Sequence, residues 1–151
     1  NGMLALLRTP GQWQALREDP ALIRGTMEEM LRFDTPLQLF FRWAREDVDY
    51  KDVAFRQDQR IALLYGAANR DPARFPHPAR FDITRAENPH LTFGSGIHYC
   101  LGAPLARLEL AITLQTLLRV CPNLELDTPV PRFFPSFVIR GLTGLPLRCG
   151  A

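Results

Sequence analysis

Lysine is almost missing from this chain: of its 18 basic residues, 17 are arginine and only Lys51 is lysine. With a formal net charge of +2, that skew reads as compositional bias and gives no reason to expect a nucleic-acid partner. Long apolar runs are missing too. The longest, Ile61 to Ala68, falls far short of the roughly 20 residues a membrane helix needs, so no membrane partner is expected. No basic opening and small-residue cleavage site stand at the N-terminus, where Arg8 closes a brief apolar stretch, which argues against a secretory leader. Cysteine is scarce: Cys100, Cys121 and Cys149 are odd in number and form no C-x-x-C, which speaks against a disulfide framework and a zinc ribbon. One thiolate with a special task fits better. Repeats, low-complexity tracts and a convincing domain boundary are also absent. What remains is a soluble, cytoplasmic chain of 151 residues, 46% hydrophobic, with enough apolar content for one core.

Helical spacing is clearest from Ala21 to Phe33, where Leu22, Ile23, Met27, Met30 and Leu31 recur on one face and Pro20 suits the first turn. Asn1 to Arg8 and Gln12 to Arg17 read as shorter helices separated by Thr9-Pro10-Gly11. After Pro36, the dense run Leu37 to Trp43 fits a buried strand. Glu46 to Ile61 alternates weakly, which predicts a hairpin with Val48, Val53, Phe55 and Ile61 facing inward, then a short helix from Ala62 to Asn69. Arg70 to Asn88 carries Pro72, Pro76 and Pro78 with Phe75 and Phe81, and predicts an ordered, irregular meander. From Leu101 to Val120 the pattern is helical again, with Leu105, Leu108, Ala111, Ile112, Leu117 and Leu118 on a broad apolar face. Pro122 ends it, and Pro129, Pro131, Pro135 and Pro146 break the remainder into short strands and turns. The fold class is mainly α with small β-sheets (α+β).

One stretch stands apart: Phe93-Gly94-Ser95-Gly96-Ile97-His98-Tyr99-Cys100-Leu101-Gly102. Its pattern F-x-x-G-x-x-x-C-x-G arises by accident in fewer than roughly one chain of this length in a thousand. The spacing suits a loop that holds one cysteine sulfur against a flat metal macrocycle. A cysteine ligates metal as thiolate, so its surroundings must favour the charged form and exclude water. Cys100 precedes a predicted helix with Pro104 in its first turn, where free N–H groups and the positive end of the helix dipole lie close to the sulfur. Gly94 and Gly96 permit a tight turn, Gly102 lets the backbone approach a flat ligand, and Phe93 covers one side. His98 projects towards the macrocycle edge, where its N–H reaches a propionate; an ordinary loop histidine is the alternative. A zinc site on His98 and Cys100 is weaker, because His77 and His90 lack metal-ligand spacing.

The loop resembles the haem-ligand signature of the cytochrome P450 family, most closely its soluble bacterial type. Other stretches carry the resemblance in order: Glu29-Met30-Leu31-Arg32 resembles the E-x-x-R helix, Asn69-Arg70-Asp71-Pro72 and Pro78-Ala79-Arg80-Phe81-Asp82 the meander, and Gly141-Leu142-Thr143-Gly144-Leu145-Pro146-Leu147 the C-terminal turn. The likeness runs from the end of the helix before the E-x-x-R helix to the C-terminus. It implies the C-terminal part of that fold, one partial domain over 1–151 with no internal boundary.

The resemblance further implies haem b, iron protoporphyrin IX, as cofactor and Cys100 as the axial metal ligand, with Phe93, Gly94, Gly96, His98 and Gly102 shaping its setting. It implies a structural triad in which Arg80 joins Glu29 and Arg32, which lie on one helical face and can pair. A solvated pair of this kind contributes well under about 1 kcal/mol; in a buried triad, losing one partner costs about 3 to 5 kcal/mol. Arg42 is placed against a haem propionate by the resemblance of Phe41-Arg42-Trp43-Ala44-Arg45-Glu46-Asp47 to a family strand, a paired charge-assisted contact that suits guanidinium. An exposed strand arginine is the alternative. Substrate contacts implied for Leu37, Gln38, Leu39, Phe40, Val138 and Ile139 make an apolar lining with one amide, which core packing explains equally well.

Two departures accompany the likeness. The hairpin lacks the usual glycines, with Lys51 at one turn and Gln57-Asp58-Gln59 at the other. The family's long central helix, whose acid and alcohol deliver protons to bound oxygen, has no counterpart, so the apolar faces of Leu22 to Leu31 and Leu105 to Leu118 are expected to lack partners. The implied function is a haem-thiolate monooxygenase, active as part of a longer parent, inserting oxygen into an apolar small molecule with electrons from a ferredoxin-type redox partner. Arg107 either joins a basic patch for that acidic partner or is simply solvated. The runner-up is a truncated, catalytically silent haem-binding or orphan structural product; a third reading is a haem-thiolate enzyme that uses peroxide or isomerises its substrate.

Overall fold

The computed structural model describes residues 1–127 and 131–150; Pro129, one of the expected breakers, lies outside the described residues. Two short helices open the chain, α1 (Gly2–Arg8) and α2 (Gln12–Glu18). The Asp19 carboxylate accepts the Ala21 N–H at 3.0 Å, and Pro20 begins a single 3-10 turn, Pro20–Leu22, that leads into α3 (Ile23–Phe33). Ile23, Met27 and Met30 of α3 share one core cluster with Leu6 of α1, Leu16 of α2, Leu114 of α5 (Ala103–Val120), and Phe81 and Ile83 of the meander. Burying each large apolar side chain contributes about 1.5 to 3 kcal/mol. Gly25 lets α3 touch the meander backbone to backbone, since a Cβ there would lie 2.5 Å from the Ile83 carbonyl oxygen.

The strands form three antiparallel two-stranded ribbons. β1 (Phe40–Trp43) pairs with β4 (Arg60–Leu63), β2 (Val48–Tyr50) with β3 (Val53–Phe55), and β5 (Leu124–Leu126) with β6 (Leu147–Cys149). A one-turn helix, α4 (Tyr65–Ala68), follows β4. The C-terminal segment returns to the exit of α3, where Leu37 bridges Ile139 and the Arg140 N–H donates to the Pro36 carbonyl at 2.7 Å. No helix of the described residues is long and apolar enough to cross a membrane.

Several expectations are corrected. The run after Pro36 forms a strand only over Phe40–Trp43, and Phe40 and Trp43 are exposed, because the ribbon has no second layer over it. The stretch 46–61 does hold a hairpin, β2–β3, but a shorter one, after which β4 begins and pairs with β1; Val48 and Val53 are exposed, while Phe55 and Ile61 are half-buried. Its turns are made without glycine by Lys51 and Asp58, left-handed at φ 53° and 62°. The expected helix from Ala62 shrinks to α4, since Ala62 and Leu63 extend β4 opposite Phe41 and Phe40.

Partners exist for the Leu22 to Leu31 face, which is the heart of the core. The α5 pattern hides two apolar faces. At 100° per residue, Leu110, Leu114 and Leu118 fall on the side that packs inward, whereas Leu105, Leu108 and Ile112 fall on the opposite side and are each more than half exposed. Cysteine counting also misled: Cys121 and Cys149 are joined in a disulfide across 28 residues. An odd total left one thiol over without forbidding a pair. Cys121 closes α5 with its N–H on the Leu117 carbonyl, and the β5–β6 register sets Cys149 opposite Leu124.

Candidate functional site

The cysteine loop is shaped by its own backbone. Gly94 and Gly96 adopt φ 72° and 64°, conformations that residues with a Cβ avoid, and let the chain fold back through a short 3-10 turn, Gly96–His98. Gly94 N–H donates to the Leu91 carbonyl at 2.9 Å, Tyr99 N–H to Gly96 at 3.0 Å, and Cys100 N–H to Phe93 at 2.9 Å. Cys100 is the one free thiol, exposed, two residues before Gly102, the N-cap of α5. Pro104 stands in the first turn of α5, as expected.

Cys100 lies on the wall of a cavity of about 760 Å³ that Phe93, Gly94, His98 and Arg42 also line, with Leu31, Ala106 and Thr113 among the rest. Phe93, Gly94, His98, Cys100 and Arg42 are thus brought together, while Gly96 and Gly102 shape the loop from outside the lining. Arg42 rests on its own strand, with Nη1 on the Phe41 carbonyl at 2.9 Å and its guanidinium 5.5 Å from the Phe40 ring centroid. Of the six residues expected to meet substrate, Leu37 and Phe40 line the cavity; Gln38, Leu39, Val138 and Ile139 do not. Gln38 turns instead to the Thr35 carbonyl, and its N–H takes the Val138 carbonyl at 2.8 Å. Among the described residues, no cluster of three or more His, Cys, Asp or Glu side chains could hold a bare metal ion.

Behind the loop, Glu29 and Arg32 are fully buried and joined by two hydrogen bonds of 2.8 Å. Arg32 spends its remaining donors on the carbonyls of Asn69, Pro78 and Arg80, at 2.8, 3.0 and 3.2 Å. Arg80 therefore enters through its carbonyl, and its exposed side chain reaches only towards Asp82 at 3.7 Å. The third member of the triad is Arg85, whose Nε donates to Glu29 at 3.1 Å. A local turn explains the substitution: Asp82 donates its N–H to Glu29 and its carboxylate accepts from the Thr84 N–H and hydroxyl, which places Arg85 on the inner side. The signal for it was the Asp-Ile-Thr sequence ahead of Arg85.

Asn69 connects this buried group to the loop. Its carbonyl receives Arg32, its Oδ1 accepts the Leu91 N–H at 2.7 Å, and its Nδ2 donates to the Thr92 hydroxyl at 3.1 Å. Sequence reading also passed over Glu28, and weighed His90 only as a zinc ligand. Arg107, expected in a partner patch or in solvent, is held by Glu28 through Nε at 2.6 Å and Nη2 at 3.0 Å, and His90 Nε2 meets the same carboxylate at 2.8 Å. Burial alone would push the Glu28 carboxyl up, but hydrogen bonds from His90 and Arg107, with the Arg107 charge, hold it down to about 2.

Residues 12–140 match the family Cytochrome P450. The chain belongs to the cytochrome P450 family. It is 49% identical over 147 residues to the biotin biosynthesis cytochrome P450 of Bacillus subtilis (strain 168), covering 97% of this chain and 37% of that protein. The cytochrome P450 monooxygenase PikC of Streptomyces venezuelae is 45% identical over 151 residues, covering 98% and 36%. Among solved structures, P450BioI in complex with hexadec-9Z-enoic acid ligated acyl carrier protein superposes with a TM-score of 0.95 at 48% identity, over 99% of this chain and 39% of that one. The tirandamycin C-bound P450 monooxygenase TamI gives 0.94 at 43% identity, over 99% and 38%. The chain thus spans little more than a third of the length of these relatives.

Membership of the family implies haem, and the donor set suits it. A free thiol on an apolar wall matches a metal that takes sulfur, and two basic side chains at the same cavity match the acidic arms of the macrocycle.

Proposed function

We propose that this chain is the haem-ligating C-terminal part of a cytoplasmic haem-thiolate monooxygenase, with Cys100 as axial ligand to the iron of haem b. The substrate would be an apolar small molecule and the electron source a ferredoxin-type protein. The observation that carries the reading is the placement of the lone free thiol, inside an F-x-x-G-x-x-x-C-x-G loop, on the wall of a large apolar cavity. A single core supports treating 1–151 as part of one domain.

Bound in that cavity, haem supplies an iron whose handling of oxygen is tuned by a thiolate ligand. This chain's own part is to present, orient and shield. Cys100 offers the sulfur, and the Phe93 carbonyl fixes the backbone N–H from which it hangs. Arg42 and His98 would hold the propionates, since both line the cavity and both can donate to a carboxylate. Leu31 and Ala106 keep water from the wall, and Leu37 and Phe40 are the residues of the expected substrate set that line the same space. The relatives' names include biotin biosynthesis and vitamin D(3) 25-hydroxylation, so likeness supports a class of substrate and not one molecule.

A reduced, carbon-monoxide-treated absorption spectrum of the protein carrying this chain tests the ligand. A strongly red-shifted Soret band that Cys100→Ser abolishes is the expected result. Haem uptake without that band, or a band that survives the substitution, would overturn the assignment.

A further inference from the structure

Glu28 has no part in the chemistry proposed above, yet it is more heavily engaged than most carboxylates of the chain. Neighbouring helical residues diverge by about 100°, so Glu29 turns to the meander while Glu28 turns to the cysteine loop and α5. Three donors converge on it: Arg107 Nε on Oε1 at 2.6 Å, with Arg107 Nη2 at 3.0 Å and His90 Nε2 at 2.8 Å on Oε2. The His90 side chain is 3% exposed, the Glu28 side chain 22% and the Arg107 side chain 31%, so the group is only partly open to the screening that weakens surface pairs. His90 Nδ1 accepts the Thr92 N–H at 3.3 Å, so the ring donates to Glu28 through Nε2. The third arm of Arg107, Nη1, donates to the Tyr99 hydroxyl at 3.0 Å.

These groups share one neighbour. The Phe93 ring centroid lies 4.8 Å from the Arg107 guanidinium carbon, 6.1 Å from the His90 ring and 6.4 Å from the Tyr99 ring. All three are pinned by Glu28, two directly and Tyr99 through Arg107. Phe93 in turn accepts the Cys100 N–H at 2.9 Å.

We propose that Glu28 is a positioning residue for the cysteine ligand: through His90 and Arg107 it clamps the Phe93 ring and so fixes the backbone from which the Cys100 sulfur projects. In its final step the proposal rests on Cys100 being the metal ligand; the clamp itself does not. A single carboxylate on α3 thereby sets a loop some sixty residues later in the chain, as the 62-residue separation from His90 and 79 from Arg107 show.

The test compares wild type with Glu28→Gln and Arg107→Lys in the full protein that carries this chain. Glu28→Gln keeps the shape but puts an amide where donors converge; Arg107→Lys keeps the charge but has no fork to span both oxygens. Without haem, amide hydrogen exchange at Cys100 is expected to quicken about tenfold or more in Glu28→Gln and less in Arg107→Lys. Exchange at Asp82, whose N–H is bonded to Glu29, is expected to stay unchanged. With haem, the red-shifted carbon-monoxide band of the folded fraction should lose at least about half its amplitude to a shorter-wavelength band, and the exchange contrast between Cys100 and Asp82 separates this from simple loss of stability. Unchanged exchange at Cys100, or an equal rise at Asp82, overturns the proposal. Should Glu28→Gln fail to fold, Arg107→Lys decides by the same two readings. If wild type itself lacks the red-shifted band, thiolate ligation falls, and the exchange comparison still decides the clamp.

Discussion

Arg32 and Glu29 meet with no side-chain surface left to water, three residues apart on α3 and joined through both carboxylate oxygens. Such a pair contributes less net stability than its geometry suggests, because both charges have been stripped of water, but breaking it is costly. Arg32→Ala is expected to lower unfolding stability by about 3 to 5 kcal/mol, and it also releases the carbonyls of Asn69, Pro78 and Arg80. Arg80→Ala should change stability by less than about 0.5 kcal/mol, since Arg80 takes part through its main chain. Urea unfolding of the two variants separates them, and equal losses would contradict the placement of Arg85, in place of the Arg80 side chain, as third member of the triad.

Acid should undo the Glu28 cluster. The folded carboxyl sits at about 2, against an ordinary value of 4.5. A carboxyl lowered by folding adds stability that is fully present above its unfolded value and drains away as pH falls through the folded one. Thermal midpoints should therefore show a contribution lost between about pH 4.5 and pH 2 in wild type and missing from Glu28→Gln. Parallel curves for the two proteins across that window would count against the shift.

What could be read from the chain were the constraints that act locally. The cysteine loop needs glycines at 94 and 96 for positive φ, and the E-x-x-R helix needs its Glu and Arg three residues apart, so both leave marks in a short stretch of sequence. Arg85 escaped because the choice between two arginines five residues apart depends on one Asx turn in irregular backbone. The two faces of α5 escaped for a different reason: Leu105 and Leu114 look alike as sequence, and only the surrounding helices decide which is covered. Glu28, His90 and Arg107 lie far apart in the chain, and no period links them.

The disulfide offers a separate check. Closing a loop of 28 residues restricts the unfolded chain by about 3 to 4 kcal/mol on the entropy model. Reductant should lower the unfolding midpoint accordingly, and denatured, unreduced protein should show one titratable thiol where reduced protein shows three. Three thiols without reductant would rule out the Cys121–Cys149 pairing.

Glycine substitutions should divide by backbone geometry. Gly94→Ala forces a Cβ into φ 72° and to 3.4 Å from the His98 carbonyl oxygen, and is expected to cost about 1 to 3 kcal/mol. Gly144→Ala meets nothing within 4 Å and needs no positive φ, so its unfolding midpoint should stay close to wild type. A neutral Gly94→Ala would show that the loop relaxes into a shape compatible with a side chain.

Asn69 joins Leu91 across 22 residues of chain by a single side-chain oxygen, while its own carbonyl holds Arg32. The meander is thus an excursion pinched shut at its neck, entered and left at almost the same point. Its outer reaches, around the exposed Arg74 and His77, therefore stand apart from the backbone that meets the cysteine loop. The spacing between the buried Glu29–Arg32 pair and the cysteine loop is thus kept through one amide.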